Sequence, residues 1–200
     1  MRPFARTDEG QSTTELALLL GPLLLIIVFG LLELAGLMTD AMTMSAASRE
    51  GARIGGALVN GGGALGCSSG QSPNAAAVDH NVVAAVERVL TGTGTRVTLS
   101  DVNEIRIWKS TSSGNETLGL VNVWTYQLNG GPLVDGDNLD FVQQSQPWMP
   151  CTRNNVTPAD SIGVTVSYTY RARTPLRFIM PVFNQLTITE RSVMAENATR

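Results

Sequence analysis

Lysine, histidine and cysteine are nearly missing from this chain. Among 200 residues stand one lysine, Lys109, one histidine, His80, and two cysteines, Cys67 and Cys151. That inventory is too thin for a structural zinc site, which needs four Cys or His ligands. It also offers no nucleophile–base pair, metal cluster or phosphate-binding loop of the kind an enzyme requires. The glycine-rich stretch from Asn60 to Gly70 lacks the Gly-Lys-Ser/Thr ending that cradles phosphate. Positive charge is scarce as well: the arginines are scattered, the formal net charge is −3 and the pI is about 5.1. No basic patch marks a nucleic-acid footprint. The expectation is a protein without enzymatic activity, cofactor, metal or nucleic-acid partner.

What the chain does have is one long apolar run. Between Leu16 and Met38 the sequence reads LALLLGPLLLIIVFGLLELAGLM, with Glu33 its single ionisable residue. At about 1.5 Å per helical residue this run covers the roughly 30 Å hydrocarbon core of a bilayer. A cleaved secretory signal is the rival reading, with small residues near Ser45-Ala46-Ala47 as its cut site. An h-region is usually only about 7–15 residues long, and Asp8 and Glu9 here accompany Arg2 and Arg6 before the run. Arginines flank both ends (Arg2 and Arg6, then Arg49 and Arg53), so charge alone does not orient the span.

Residues 1–10 read as a short polar leader and 11–58 as one long helix with its transmembrane part at 16–38. Ser12 and Glu15 fit a capping box at the helix start. Gly21-Pro22 should kink or locally unwind it. Beyond Met38 the pattern turns amphipathic, with Leu37, Ala41, Met44, Ala47 or Ser48, and Ala52 at three-to-four spacing. Residues 59–200 read as an extracytoplasmic α+β domain. After the glycine-rich loop, a second helix is predicted from Pro73-Asn74 to Leu90, with Val82, Val86 and Val89 on its apolar face. The period then changes to that of strands: 96–102, 104–110 and 118–127, the latter two joined by a hairpin with Ser113-Gly114-Asn115 at its tip. Residues 128–158 read as a long irregular insertion, and 161–173 and 185–197 as neighbouring long strands. The predicted fold is α+β, a long N-terminal helix and a second helix with a mostly antiparallel sheet of about five or six strands.

Several residues carry two readings. Glu15 is either a helix-start carboxylate favoured by the macrodipole or a charge that pairs with another subunit. Glu33 either pairs within the membrane with a group on another subunit or marks the outer interface. Arg49, Glu50 and Arg53 form either a docking patch or solvated pairs of little energetic weight. Cys67 and Cys151 are either two thiols or one disulfide, which would stabilise by about 4–5 kcal/mol in the chain-entropy model. Asp135 to Asp140 is a hydrophilic turn rather than a calcium loop, since it lacks EF-hand spacing. Trp108, Trp124 and Trp148 are core or loop anchors, and His80 is an exposed or half-buried helix residue.

Gly10-Gln11-Ser12-Thr13-Thr14-Glu15 before the run, Gly21-Pro22 within it, Leu32-Glu33-Leu34 near its end and Ala46-Ala47-Ser48-Arg49-Glu50-Gly51-Ala52-Arg53 beyond it resemble the TadE-like family of minor pilins (pseudopilins) of tight-adherence type IV pili. Val164 to Tyr170 followed by Pro175 also looks like that family's C-terminal strand region. The resemblance implies cleavage by a prepilin peptidase between Gly10 and Gln11, which makes Glu15 the fifth residue of the mature chain. It implies that Glu15 compensates the free amine of a neighbouring subunit, and that Leu16 in place of an aromatic suits a minor pilin. It further implies an inner-membrane location with the C-terminal domain outside, and entry into the extracellular pilus. The implied partners are other pilins or a second TadE-like protein, the peptidase, the assembly platform and membrane lipid. The alternative is a single-span membrane-anchored surface domain that binds a ligand or host surface without entering a pilus.

Overall fold

The computed structural model describes residues 9–58, 77–154, 158–179 and 185–196. The expected glycine-rich loop, the expected start of the second helix at Pro73-Asn74, most of the leader, and Cys67 lie outside those residues. The fold is α+β: α1 (Glu9–Ala57), α2 (Val78–Leu90), β1 (Val102–Ser110), β2 (Glu116–Tyr126), β3 (Leu133–Val134), β4 (Asp137–Asn138), β5 (Phe141–Ser145), β6 (Ser161–Arg171), the short α3 (Leu176–Ile179) and β7 (Gln185–Ala195). Two compact units result. One joins the N-terminal residues through Met38 to Arg171–Gln185, and the other joins Thr39–Tyr170 to the residues from Leu186 onward.

The first helix begins at Glu9, three residues before Ser12, so Ser12 lies in its first turn rather than at its cap. A carboxylate at that end is favoured by the helix dipole. The helix continues unbroken through Pro22, so the expected local unwinding is not seen. In an apolar segment the neighbouring turns can absorb the one backbone bond that proline removes.

In the larger unit a five-stranded sheet has the order β5-β2-β1-β6-β7. β1 runs antiparallel to both β2 and β6, pairing Ile105 with Trp124 and with Val166, and Ile107 with Asn122 and with Val164. The turn between β1 and β2 closes where expected, with Thr111 N–H donating to Asn115 O at 2.8 Å and Gly114 at φ 78°. β6 and β7 are hydrogen-bonded neighbours, as their patterns predict. One face of the sheet carries Ile105, Ile107, Trp124, Ile162, Val164 and Val166, all fully buried. The second half of α1 (Met44, Ala47 and Ala52 buried) and α2 (Val82, Val83, Val86 and Leu90 buried) supply the helical layer, giving a two-layer core.

Two expectations need correction. Residues 96–102 are not a strand: 95–98 are irregular and Leu99–Asp101 is a 3-10 turn before β1 opens at Val102. The Thr95 hydroxyl donates to Leu90 O and Gly92 O, at 2.8 and 2.9 Å. The segment therefore closes the end of α2 and crosses to the sheet. The insertion at 128–158 is also less irregular than expected. It contributes the β3–β4 hairpin and β5, which pairs antiparallel with β2 at the sheet's edge.

Candidate functional site

The first half of α1 is a helix most of whose apolar side chains are exposed, with Ile26, Phe29 and Leu37 half-buried. Leu18 and Leu19 are each 74% exposed, and Leu16, Leu23, Leu24, Ile27 and Leu31 are similarly open. It is long and apolar enough to cross a membrane. Gly10 and Gln11 lie in its first turn, and Glu15 stands on its exposed surface before the run.

Glu33 differs from the side chains around it. It is only 7% exposed, and its carboxylate accepts a short hydrogen bond from the backbone N–H of Thr174. Its partner thus lies in its own chain, in the segment between β6 and α3. Nothing in the sequence near Thr174 signals this bond, because it is made by backbone.

Farther along α1, glycine and alanine form the face that meets the sheet and α2. A Cβ on Gly51 would lie 2.6 Å from Val86 Cγ2 and 3.2 Å from Val164 Cγ1. One on Gly55 would lie 2.6 Å from Ile162 Cδ1. The Ser48 and Ser192 hydroxyls share a hydrogen bond of 3.0 Å that ties this face to β7. Arg49 and Arg53 are exposed away from the contact, and Arg53 forks onto Glu50 with bonds of 2.8 and 2.6 Å. That fork holds the Glu50 carboxyl below the usual carboxylate range.

Sequence reasoning missed a buried polar cluster. Arg153 and Asp79 form a fully buried ion pair at 2.6 Å. Asn122 donates to the second Asp79 oxygen and to Trp148 O, both at 2.7 Å, and accepts from Trp148 N–H at 2.9 Å. The Arg153 guanidinium lies over the Trp148 ring, 4.2 Å from its centroid. Glu196 is buried near this pair, and neither of its carboxylate oxygens has a hydrogen-bond partner among the described residues. Burial first, with the nearby carboxylates of Asp160 and Asp79 adding to it, pushes its pKa up to about 7 against the opposing pull of Arg153 and Lys109. Lys109 pairs with Asp160 at 2.6 Å. No local motif announces such a cluster, since its members come from α2, β1, β2, the 146–160 segment and the end of β7.

The remaining candidates have structural settings. Trp108, Trp124 and Trp148 are all buried, with Trp108 Nε1–H donating to Thr165 at 2.8 Å. His80 is half-buried and edge-on to Trp124, at 5.7 Å between centroids, and desolvation lowers its pKa. Asp135 and Gly136, at φ 54° and 99°, are the two central residues of the β3–β4 turn, the geometry that Asp-Gly favours. Asp140 accepts from Asn129 N–H at 2.7 Å. Among the described residues no group of three or more His, Cys, Asp or Glu side chains is placed to hold a metal ion.

Residues 10–53 match the family model described as TadE-like protein. That match ends before the second half of the resemblance, Val164 to Tyr170. No curated protein and no solved structure matches the chain. The matched segment runs from the first turn of α1, through the exposed apolar half, to the glycine-rich face that docks on the sheet. Over that segment the chain is similar to TadE-like proteins.

Proposed function

We propose that this protein is a structural minor pilin (pseudopilin) that takes part in assembling, priming or capping a tight-adherence type IV pilus. The observation that carries the reading is the uncovered apolar half of α1 lying inside the TadE-like segment. A helix this apolar must be solvated by lipid or by other helices. In this reading a prepilin peptidase cuts between Gly10 and Gln11, the helix waits in the inner membrane, and the domain from residue 59 onward lies outside. Glu15 then pairs with the amine of a neighbouring subunit. The exposed Arg49 and Arg53, with the half-buried Glu50, face a partner, which is another pilin or a second TadE-like protein engaged at the assembly platform. Cys67 and Cys151 form one disulfide, consistent with the absence of a free cysteine among the described residues.

Intact mass and N-terminal sequencing of protein from its native membrane, with and without the prepilin peptidase, test the maturation step. A new N-terminus at Gln11, lost in the Gly10→Leu variant and without the peptidase, is the expected result. An uncut start at Met1 would leave a plain membrane anchor with a surface domain. A start near Ala46 to Ser48 would mean an ordinary signal peptide and would end the pilin reading.

A further inference from the structure

The smaller unit contains more than the apolar helix. The chain returns to it after β6 with Arg171-Ala172-Arg173-Thr174-Pro175, followed by α3. The Thr174 N–H bond to the Glu33 carboxylate ties this returning segment to α1. Glu33 lies five residues before the end of the apolar run, which at 1.5 Å per residue is about 8 Å short of Met38. That depth lies in the outer part of the hydrocarbon, next to the boundary between acyl chains and headgroups, rather than at the bilayer centre.

The side chains suit that boundary. Ala172 is buried, while Arg171, Arg173 and Arg177 are exposed. Phe178 is 77% exposed, with the Arg177 guanidinium over its ring at 4.7 Å from the centroid. The sequence that follows, Ile179 to Phe183, contains no charge. Three arginines interleaved with an uncovered aromatic ring match a layer that is anionic above and apolar below. Arginine stems lie along apolar surface while their heads reach phosphate, and aromatic rings favour the same depth.

We propose that Arg171, Arg173, Arg177 and Phe178 form a second membrane contact, a clip that docks on the phospholipid headgroup layer beside the spanning helix. Its ligand is the phosphodiester headgroup of anionic phospholipid. Glu33 acts within the chain: its bond to Thr174 holds the clip at headgroup depth. The inference rests on the reading of α1 as a membrane span, whichever way the span is oriented.

The test uses the full chain in vesicles of phosphatidylcholine with and without phosphatidylglycerol. A nitroxide is attached through an unnatural ketone amino acid at position 178, and its access to oxygen and to a water-soluble nickel chelate gives its depth. The same label at Leu24 and at Leu118, which is fully exposed in the larger unit, supplies the lipid and water references. The expected result is an intermediate depth at 178. It should deepen with phosphatidylglycerol, and in the Arg171→Gln, Arg173→Gln, Arg177→Gln variant the docked-to-free ratio should fall by about fivefold per arginine removed. A water-like signal at 178 with a lipid-like signal at Leu24 overturns the clip and leaves the span standing. A label at 178 shielded from both probes overturns it in favour of a protein partner. A water-like signal at Leu24 removes the span itself, and the clip with it.

Discussion

Individual atoms decide how closely α1 approaches the sheet. In Gly51→Ala the new methyl meets Val86, a β-branched side chain with little rotameric freedom, and Val164 beside it. Overpacking of about 1–3 kcal/mol should outweigh the roughly 1 kcal/mol gained in helix propensity. In Gly55→Ala the tightest contact is with the end of the Ile162 side chain, which can turn away, and Val82 Cγ2 stands at 3.3 Å, so it should cost less than Gly51→Ala. Gly163→Ala would push into the ring of buried Trp108 and should cost more than either. Thermal unfolding of the three variants ranks them. Glu196 governs the response to pH. Its pKa is raised in the folded state from 4.5 to about 7, so the native form binds protons more tightly than the unfolded chain. Its contribution to stability is complete below about pH 4.5 and is lost as pH rises to about 7, a swing of roughly 3 kcal/mol. Urea titrations at about pH 5 and about pH 8 should show this fall, and Glu196→Gln should flatten it.

At the scale of elements, polar bonds stitch together pieces that hydrophobic pattern alone leaves apart. Asp79→Ala would strand a buried guanidinium and should cost about 3–5 kcal/mol. Asp79→Leu combined with Arg153→Met should cost less than the single change, because no unpaired charge remains; denaturant midpoints of both variants decide this. Periodicity made α2, β1, β2, β6 and the second half of α1 legible, since each buries at least one face in a regular rhythm; the first half of α1 was legible from its unbroken apolar run and β7 from its β-branched residues. β5 was not legible because Phe141-Val142-Gln143-Gln144-Ser145 occupies an edge, where only part of the strand needs apolar residues. The β3–β4 hairpin has two-residue strands, too short for any period, although Asp135-Gly136 is its local signal. The stretch 96–102 shows the reverse error. Its β-branched residues suit a strand, but it follows directly on Thr95, which bonds to the end of α2, and Leu99–Asp101 turns before β1 opens. Glu33 stood out as an intramembrane charge, but its partner is a backbone N–H distant in sequence, which no residue pattern can display.

For the whole molecule, the two halves of α1 have different dependencies. A fragment beginning at Thr39 keeps Met44, Ala47 and Ala52, each fully buried in the larger unit. It should remain folded by circular dichroism and melt cooperatively. A fragment beginning after Leu58 loses that layer and should not fold. The second half of the helix is therefore a fixed part of the larger unit. The Ser48–Ser192 bond joins positions 144 residues apart, and Gly56 packs beneath Met194 and the carbonyl of Ala195. The helical face leaves the ribosome well before the strand that covers it, 144 residues further along. Until β7 is made this face of small residues stands without that cover, and pairing so remote in sequence is slow to form. The newborn chain thus passes a vulnerable interval whose length is set by translation, and assembly into any larger structure must wait until that interval has closed.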